Sequence, residues 1–487
     1  MRKSGILLPV FSLPGPYGIG CFSRYAYEFA DQLKEAGQTY WQILPLGPTS
    51  YGDSPYQSYS TFAGNPYFID LEELIKMGLL TKEECEEKDL SSAPDQIDYG
   101  KLYENRFPLL KTAFERTEKG TEEFNHFREQ EKWWLDDYSL YMAIKESQNG
   151  KSWIEWPKDL KDRNPEAIAS CREELEEEIL FYQYLQFWFF TQWNRLKEYV
   201  NRQGIQIIGD LPIYVAFDSA DTWADPELFQ FDEEKNPAAV AGCPPDGFSA
   251  TGQLWGNPLY RWDYHKETEY SWWISRISHS CKMYDIIRID HFRGFDSYYS
   301  IPYGAPDASS GHWEQGPGID FFRKVEEKLG RQSIIAEDLG YLTDSVKQLV
   351  KNTGFPGMKI IQFAFDSREE SDYLPHNYEK NCVVYTGTHD NDTLIGWYEA
   401  LLPEDQIFAL EYLGREENNY WDYIRLALAS VANTAIIPMN DYLGKGTNAR
   451  INQPSTLGKN WKWRMQEGEV TKELLQRICK MTRIYKR

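Results

Sequence analysis

Along the chain, short runs of consecutive apolar residues recur, and each breaks off abruptly into polar ones. The runs at 6–11, 40–46, 206–215, 286–289, 333–340, 357–365, 383–392 and 435–441 lack the alternation of a half-exposed strand. That is the pattern of strands buried on both faces of a parallel sheet. Helix-capable segments such as 29–36, 321–330 and 345–353 separate them. Eight strands alternating with helices predict an α/β fold, a (β/α)8 TIM barrel. An open doubly wound sheet is the other arrangement compatible with the alternation. It lacks support, because Gly15, Gly18 and Gly20 after the first run do not form GxGxxG and no helix follows at once. From about 71 to 204 the pattern becomes charged and helix-periodic, as at 83–88, 103–119, 133–147 and 165–201. This predicts one barrel over 1–487, interrupted after its second strand by a large, mostly helical insertion.

Four of the runs end in a carboxylate: Asp210, Asp290, Glu337 and Asp390. In a barrel, strand C-termini open on one face, so acids far apart in sequence converge there. The stretch Ile286-Ile287-Arg288-Ile289-Asp290-His291-Phe292-Arg293-Gly294 concentrates the most chemistry. Arg288 and Asp290 are two residues apart, so a pleated strand points both to one face, where the guanidinium keeps the carboxylate ionised. Alone, the stretch fits a nucleophile or a structural ion pair equally well. Four like charges in one cleft favour use over structure. A hard cation would want oxygen ligands, but His291, His389 and two arginines share these strand ends. Glycoside chemistry needs a nucleophilic carboxylate and a carboxylic acid flanking the bond. Histidine and arginine then bond sugar hydroxyls, and Asp290 and Asp390 are expected to raise the Glu337 proton. The loop Tyr51-Gly52-Asp53-Ser54-Pro55-Tyr56-Gln57-Ser58-Tyr59 fits either a site loop or an Ω-loop filled by its own tyrosines.

The net charge of −23 repels phosphate backbones and anionic membranes, which argues against nucleic acid or membrane partners. With 17 Trp and 33 Tyr the chain is rich in flat apolar faces with polar tips, which suit sugars. The seven cysteines are scattered, odd in number and without CxxC, so they read as reduced thiols of a cytoplasmic protein. Arg2-Lys3 and the apolar residues 6–8 faintly imitate a signal peptide, but Pro9 interrupts the run. The uncharged stretch 179–194 carries three glutamines and falls short of the ~20 residues of a membrane span, so it predicts a buried helix.

The motifs Arg288-Ile289-Asp290-His291-Phe292-Arg293-Gly294, Ala336-Glu337-Asp338-Leu339-Gly340 and Thr388-His389-Asp390-Asn391-Asp392 resemble the catalytic regions of 4-α-glucanotransferases. These are the amylomaltases or disproportionating enzymes, glycoside hydrolase family 77 of the α-amylase clan. The likeness runs from Gly5-Ile6-Leu7-Leu8 to Gly458-Lys459-Asn460-Trp461-Lys462-Trp463-Arg464 and includes Gly52-Asp53-Ser54-Pro55-Tyr56-Gln57 and the segment 244–260.

The resemblance implies Asp290 as nucleophile, Glu337 as acid/base and Asp390 as the third carboxylate. It implies that Arg288, His389 and Tyr56 line a donor subsite supported by Asp210. The active-site loop 244–260, with Phe248, Trp255 and Asn257, would lie over the acceptor side, and His291 beside the nucleophile would contact sugar. No metal, no organic cofactor and no C-terminal β-sandwich are implied. The substrates implied are maltooligosaccharides and amylose- or glycogen-type α-1,4-glucans. Two rivals stand beside a retaining transferase: an α-1,4-glucan hydrolase on the same acids, and a non-catalytic glycan-binding protein. A binder has no use for an acid with a raised pKa beside an ionised one.

Overall fold

A computed structural model describes residues 2–50, 52–245, 249–340 and 342–487. Among them are twelve strands: β1 (Lys3–Leu7), β2 (Tyr40–Gln42), β3 (Gln206–Leu211), β4 (Ala239–Cys243), β5 (Gln253–Pro258), β6 (Ile286–Ile289), β7 (Ser297–Pro302), β8 (His312–Gln315), β9 (Ile334–Ala336), β10 (Gly357–Ile360), β11 (Cys382–Tyr385) and β12 (Thr434–Pro438). Eight pair in parallel, in the order β10-β11-β12-β1-β2-β3-β6-β9. Between β9 and β10, the Ala336 N–H donates to the Pro356 carbonyl at 3.0 Å and brings the sheet round on itself. The result is the eight-stranded parallel barrel that the unalternating runs predict, with β2, β9 and β11 buried at every residue.

The strands are shorter than their apolar runs. After β1 the chain reaches Pro9, whose ring removes a donor, and turns as a 3₁₀ helix at Val10–Ser12. The run at 357–365 leaves the sheet at Ile360 for a 3₁₀ turn at Ile361–Phe363. Val10, Phe11 and Ile361 stay buried without staying in a ladder, whereas Phe363 is exposed.

Between β2 and β3 the chain forms seven α-helices among the described residues, the longest being Glu122–Ser147 and Glu176–Arg202. The uncharged stretch lies inside Glu176–Arg202, which buries Phe181, Leu185, Trp188, Phe189 and Trp193. Two of its three glutamines are buried against backbone groups, while Gln183 donates to the Ser139 hydroxyl at 3.4 Å. Gln186 accepts from the Gly64 N–H at 2.7 Å and donates to the Gly64 carbonyl at 2.9 Å, and Gln192 accepts from the Asp70 N–H at 2.7 Å. Residue 64 must be glycine for this close approach, since a Cβ there would lie 2.1 Å from the Phe189 ring. Among the described residues no helix is long and apolar enough to cross a membrane.

A second, antiparallel sheet, in the order β5-β4-β7-β8, is absent from the sequence expectation. Part of the segment expected as a loop, 244–260, is therefore strand β5, paired with β4. Its strands are short, and β4 pairs with β7 far along the chain, Ala239 opposite Pro302, so the local pattern does not announce the sheet.

Candidate active site

Arg288 is the hub of the cleft. It lies on β6 directly opposite Asp210 on β3, and its Nη1 donates to both carboxylate oxygens of Asp210 at 2.8 and 2.6 Å. Both side chains are shut from solvent, a state two charges tolerate only when paired with good geometry. Its Nη2 reaches Asp290, one residue past the strand, at 3.0 Å. The two-residue spacing thus puts Arg288 and Asp290 on one face, as the pleat requires. Asp290 keeps 28% of its side-chain exposure and so opens into the cleft. His291 then adopts the left-handed region (φ 47°, ψ 50°), a strained state for a residue with a Cβ. That bend turns the chain out of the barrel within one residue of Asp290. Three residues on, a Cβ at Gly294 would come within 2.7 Å of Ile213.

Glu337 is held against the same bend. Its own N–H donates to the Ile289 carbonyl at 3.1 Å, extending the β6–β9 pairing. Its Oε2 accepts the His291 N–H at 2.7 Å and its Oε1 the Leu339 N–H at 2.9 Å. The two carboxyl groups are therefore one peptide apart through the strained turn.

Burial pushes the Asp290 carboxyl well above the usual carboxylate range, with the Arg288 guanidinium pulling it down and Asp210, Glu337 and Asp390 adding to the rise. Burial also raises Glu337, opposed by Arg288 and by the N–H groups of residues 339 and 291. The expectation that neighbouring acids are the main lever on Glu337 is thus corrected: loss of water comes first. For Asp290, likewise, Arg288 offsets a burial effect larger than its own. The direct ion pair favours charge on Asp290, which leaves Glu337 the better seat for a proton shared by the pair.

Asp390 is the open member, 42% exposed, in the turn after β11. Asn452 donates to its Oδ1 at 2.6 Å, and Arg450 donates to its backbone carbonyl at 2.7 Å. His389 lies beside it, Nε2 to Oδ1 3.4 Å, and burial lowers the imidazole's pKa, keeping it neutral. The His389 ring stacks on Tyr56 at 5.2 Å and 17°, with Trp461 tilted behind both at 5.9 and 6.0 Å. Tyr56 donates its hydroxyl to Asp210 at 2.9 Å. Tyr56, Asp210, Arg288 and Asp290 are therefore linked in one chain of hydrogen bonds and ion pairs.

On the other side, Trp255 meets His291 edge-on at 4.9 Å. Burial holds the His291 imidazole down at about 3, so it is neutral. Its defined contribution is its backbone N–H on Glu337. Asn257, expected to touch sugar, is instead 4% exposed and turned inward. Its amide donates to the Val215 carbonyl at 2.7 Å and accepts from Gln57 at 3.0 Å. Phe248 lies outside the described residues. Asn452 and Trp461 were not expected as site residues, nor was Gln57 as the partner of Asn257 behind the cleft. They lie in irregular segments, where no periodicity marks a side chain, although the motifs around 52–57 and 458–464 pointed to their neighbourhood. Among the described residues no cluster of three or more His, Cys, Asp or Glu could hold a metal ion.

A partly exposed carboxyl paired with a guanidinium, a second held by two backbone N–H groups and a third open to solvent place together the acids that proton donation and nucleophilic attack on one acetal need. A family profile described as 4-alpha-glucanotransferase matches residues 8–471. The 4-alpha-glucanotransferase of Clostridium butyricum is 53% identical over 483 residues, 98% of this chain and 99% of that one. That of Thermus thermophilus is 46% identical over 97% of this chain and 96% of its own. The structure of an amylomaltase from Streptococcus agalactiae, in complex with acarbose, superposes with a TM-score of 0.97 at 45% identity over 100% of both chains.

Proposed function

The chain belongs to the 4-alpha-glucanotransferase family, and from that premise we propose that three cleft acids divide the work of the transfer. Asp290 is the nucleophile: its carboxylate attacks the anomeric carbon of the donor glucose. Glu337 gives its proton to the departing glycosidic oxygen, leaving a glycosyl ester on Asp290. The reducing-end fragment leaves, an acceptor's 4-hydroxyl enters, Glu337 takes back the proton, and the new α-1,4 bond retains configuration. Asp390, held by Asn452, accepts hydrogen bonds from donor hydroxyls, with neutral His389 as a donor beside it. Tyr56 and Arg288 complete the donor subsite, and Trp255, with Phe248, stacks the acceptor. Maltooligosaccharides, amylose and glycogen-type glucans are the substrates. The segment 244–260 serves the acceptor side, and residues 71–204 are a helical unit set into one catalytic barrel. All seven cysteines are free thiols, which supports a reducing, cytoplasmic setting.

The observation that carries this reading is Glu337 bonded to the N–H of residue 291 while Arg288 holds the carboxylate of residue 290. The test is incubation with maltotriose. Glucose should appear together with oligosaccharides longer than the substrate, at nearly constant total reducing ends. Reducing ends that climb steadily, with no longer product, would leave a hydrolase.

A further inference from the structure

We propose that Gln57 is a positioning residue that latches the acceptor side of the cleft to the donor subsite and so sets the share of transfer over hydrolysis. The proposal rests on the transferase reading above. Three segments meet at this side chain. The Gln57 Nε2 donates to Asn257 Oδ1 at 3.0 Å and lies 3.5 Å from the Trp255 carbonyl, both on β5. Asn257 Nδ2 returns a long contact to Gln57 Oε1 at 3.4 Å and donates to the Val215 carbonyl at 2.7 Å. Val215 lies four residues past β3, the strand that ends beyond Asp210.

The amides cannot exchange roles. Turning Asn257 over would set its oxygen against the Val215 carbonyl, so its nitrogen is committed there and Gln57 must be the donor. The buried Asn257 amide, with both ends bound, also holds one orientation, because turning it over leaves an end unpaired away from water.

The neighbour of Gln57 is Tyr56, whose hydroxyl reaches Asp210 and whose ring stacks on His389. The neighbours of Trp255 and Asn257 on β5 share their ladder with β4. A displacement of Trp255 by an arriving sugar therefore reaches the Tyr56 ring through one side-chain bond and one peptide. Without the latch each side still folds, because Asn257 keeps Val215 and Tyr56 keeps Asp210. What is lost is the fixed spacing between the acceptor platform and the glycosyl ester. Water needs no such spacing, whereas a sugar acceptor wins over water only through positioning.

The test uses the full-length enzyme with maltotriose as donor and glucose as added acceptor, and measures total donor cleavage, transfer products and reducing ends. Gln57→Ala should raise the share of hydrolysis at least threefold and raise KM for glucose, with donor cleavage within about threefold of wild type. Gln57→Glu has the same length but no hydrogen to donate to Asn257, so it should follow the Ala variant. An unchanged share of hydrolysis in both variants overturns the proposal. Equal losses of cleavage and transfer also overturn it, since that is the mark of a merely structural residue. A wild type making no product longer than maltotriose would instead sink the transferase reading itself.

Discussion

Replacing Arg288 with methionine removes the cation between Asp210 and Asp290 while nearly keeping its volume. Two effects follow, and both can be scaled. At the 3.0 Å separation of Arg288 Nη2 and Asp290 Oδ1, unit charges attract by roughly 5 kcal/mol at an effective dielectric of about 20. At about 1.4 kcal/mol per decade, that is a shift of three to four decades in the acidity of Asp290. Burial already pushes this carboxyl up against the pull of Arg288, so losing the guanidinium raises it further and favours the protonated form, which cannot attack. Asp210, shut from solvent, then keeps the Tyr56 hydroxyl but no cation, and breaking a buried pair costs about 3–5 kcal/mol. The Met variant should fold with a clearly lower Tm and lose at least about 10³-fold in kcat/KM at pH 7. Raising the pH should restore part of the loss, because Asp290 then ionises, until Glu337 loses its proton too. Arg288→Lys, which keeps the charge but loses the fork that spans two carboxylates, should fall between. The assay is glucose release from maltotriose over pH 5–9, with thermal unfolding by circular dichroism alongside. A folded Met variant within tenfold of wild type at pH 7 would refute the role given to Arg288.

Asp290→Asn and Glu337→Gln should each lose several orders of magnitude in turnover with unchanged far-UV circular dichroism, the swaps being nearly volume-neutral; near wild-type turnover in either would remove that residue from the mechanism. Asn452→Ala deletes the 2.6 Å bond to Asp390, and a bond to a charged group is worth about 1.5–3 kcal/mol, so kcat/KM should fall roughly 10- to 100-fold with the urea midpoint hardly moved; a change below twofold contradicts it. Asp441 is pushed up to about 7 by burial from 3.8, so the folded chain keeps a proton that the unfolded chain releases. That stability is fully present below about pH 4 and is lost as pH rises through about 7. Asp441→Asn cannot titrate, so its Tm relative to wild type should rise from pH 4 to 8, and a constant gap would contradict the assignment.

The sequence by itself determined the barrel and the acids on its open face. An apolar run without alternation can be buried only on both sides, and eight such runs separated by helices close most economically as a barrel. An acid at the exit of a buried strand must be paired or used, which singled out Asp210, Asp290, Glu337 and Asp390. The two-residue spacing of Arg288 and Asp290 was enough to put them together, because period two is built into the pleat. The uncharged stretch 179–194 was legible as buried helix for a similar reason.

Tertiary structure alone decided who stands opposite whom. Asp210 meets Arg288 through the register of β3 on β6, across 78 residues of sequence. Asn452 reaches Asp390 from 62 residues away, out of a segment with no period to read. The antiparallel sheet turned part of the 244–260 segment into strand and Asn257 inward. The bend at His291, and the burial that raises Glu337 more than its neighbouring acids do, exist only once the strands have closed. A local pattern encodes which face a side chain takes. Its partner, its water and its proton affinity are set by segments distant in sequence that arrive only when the chain folds.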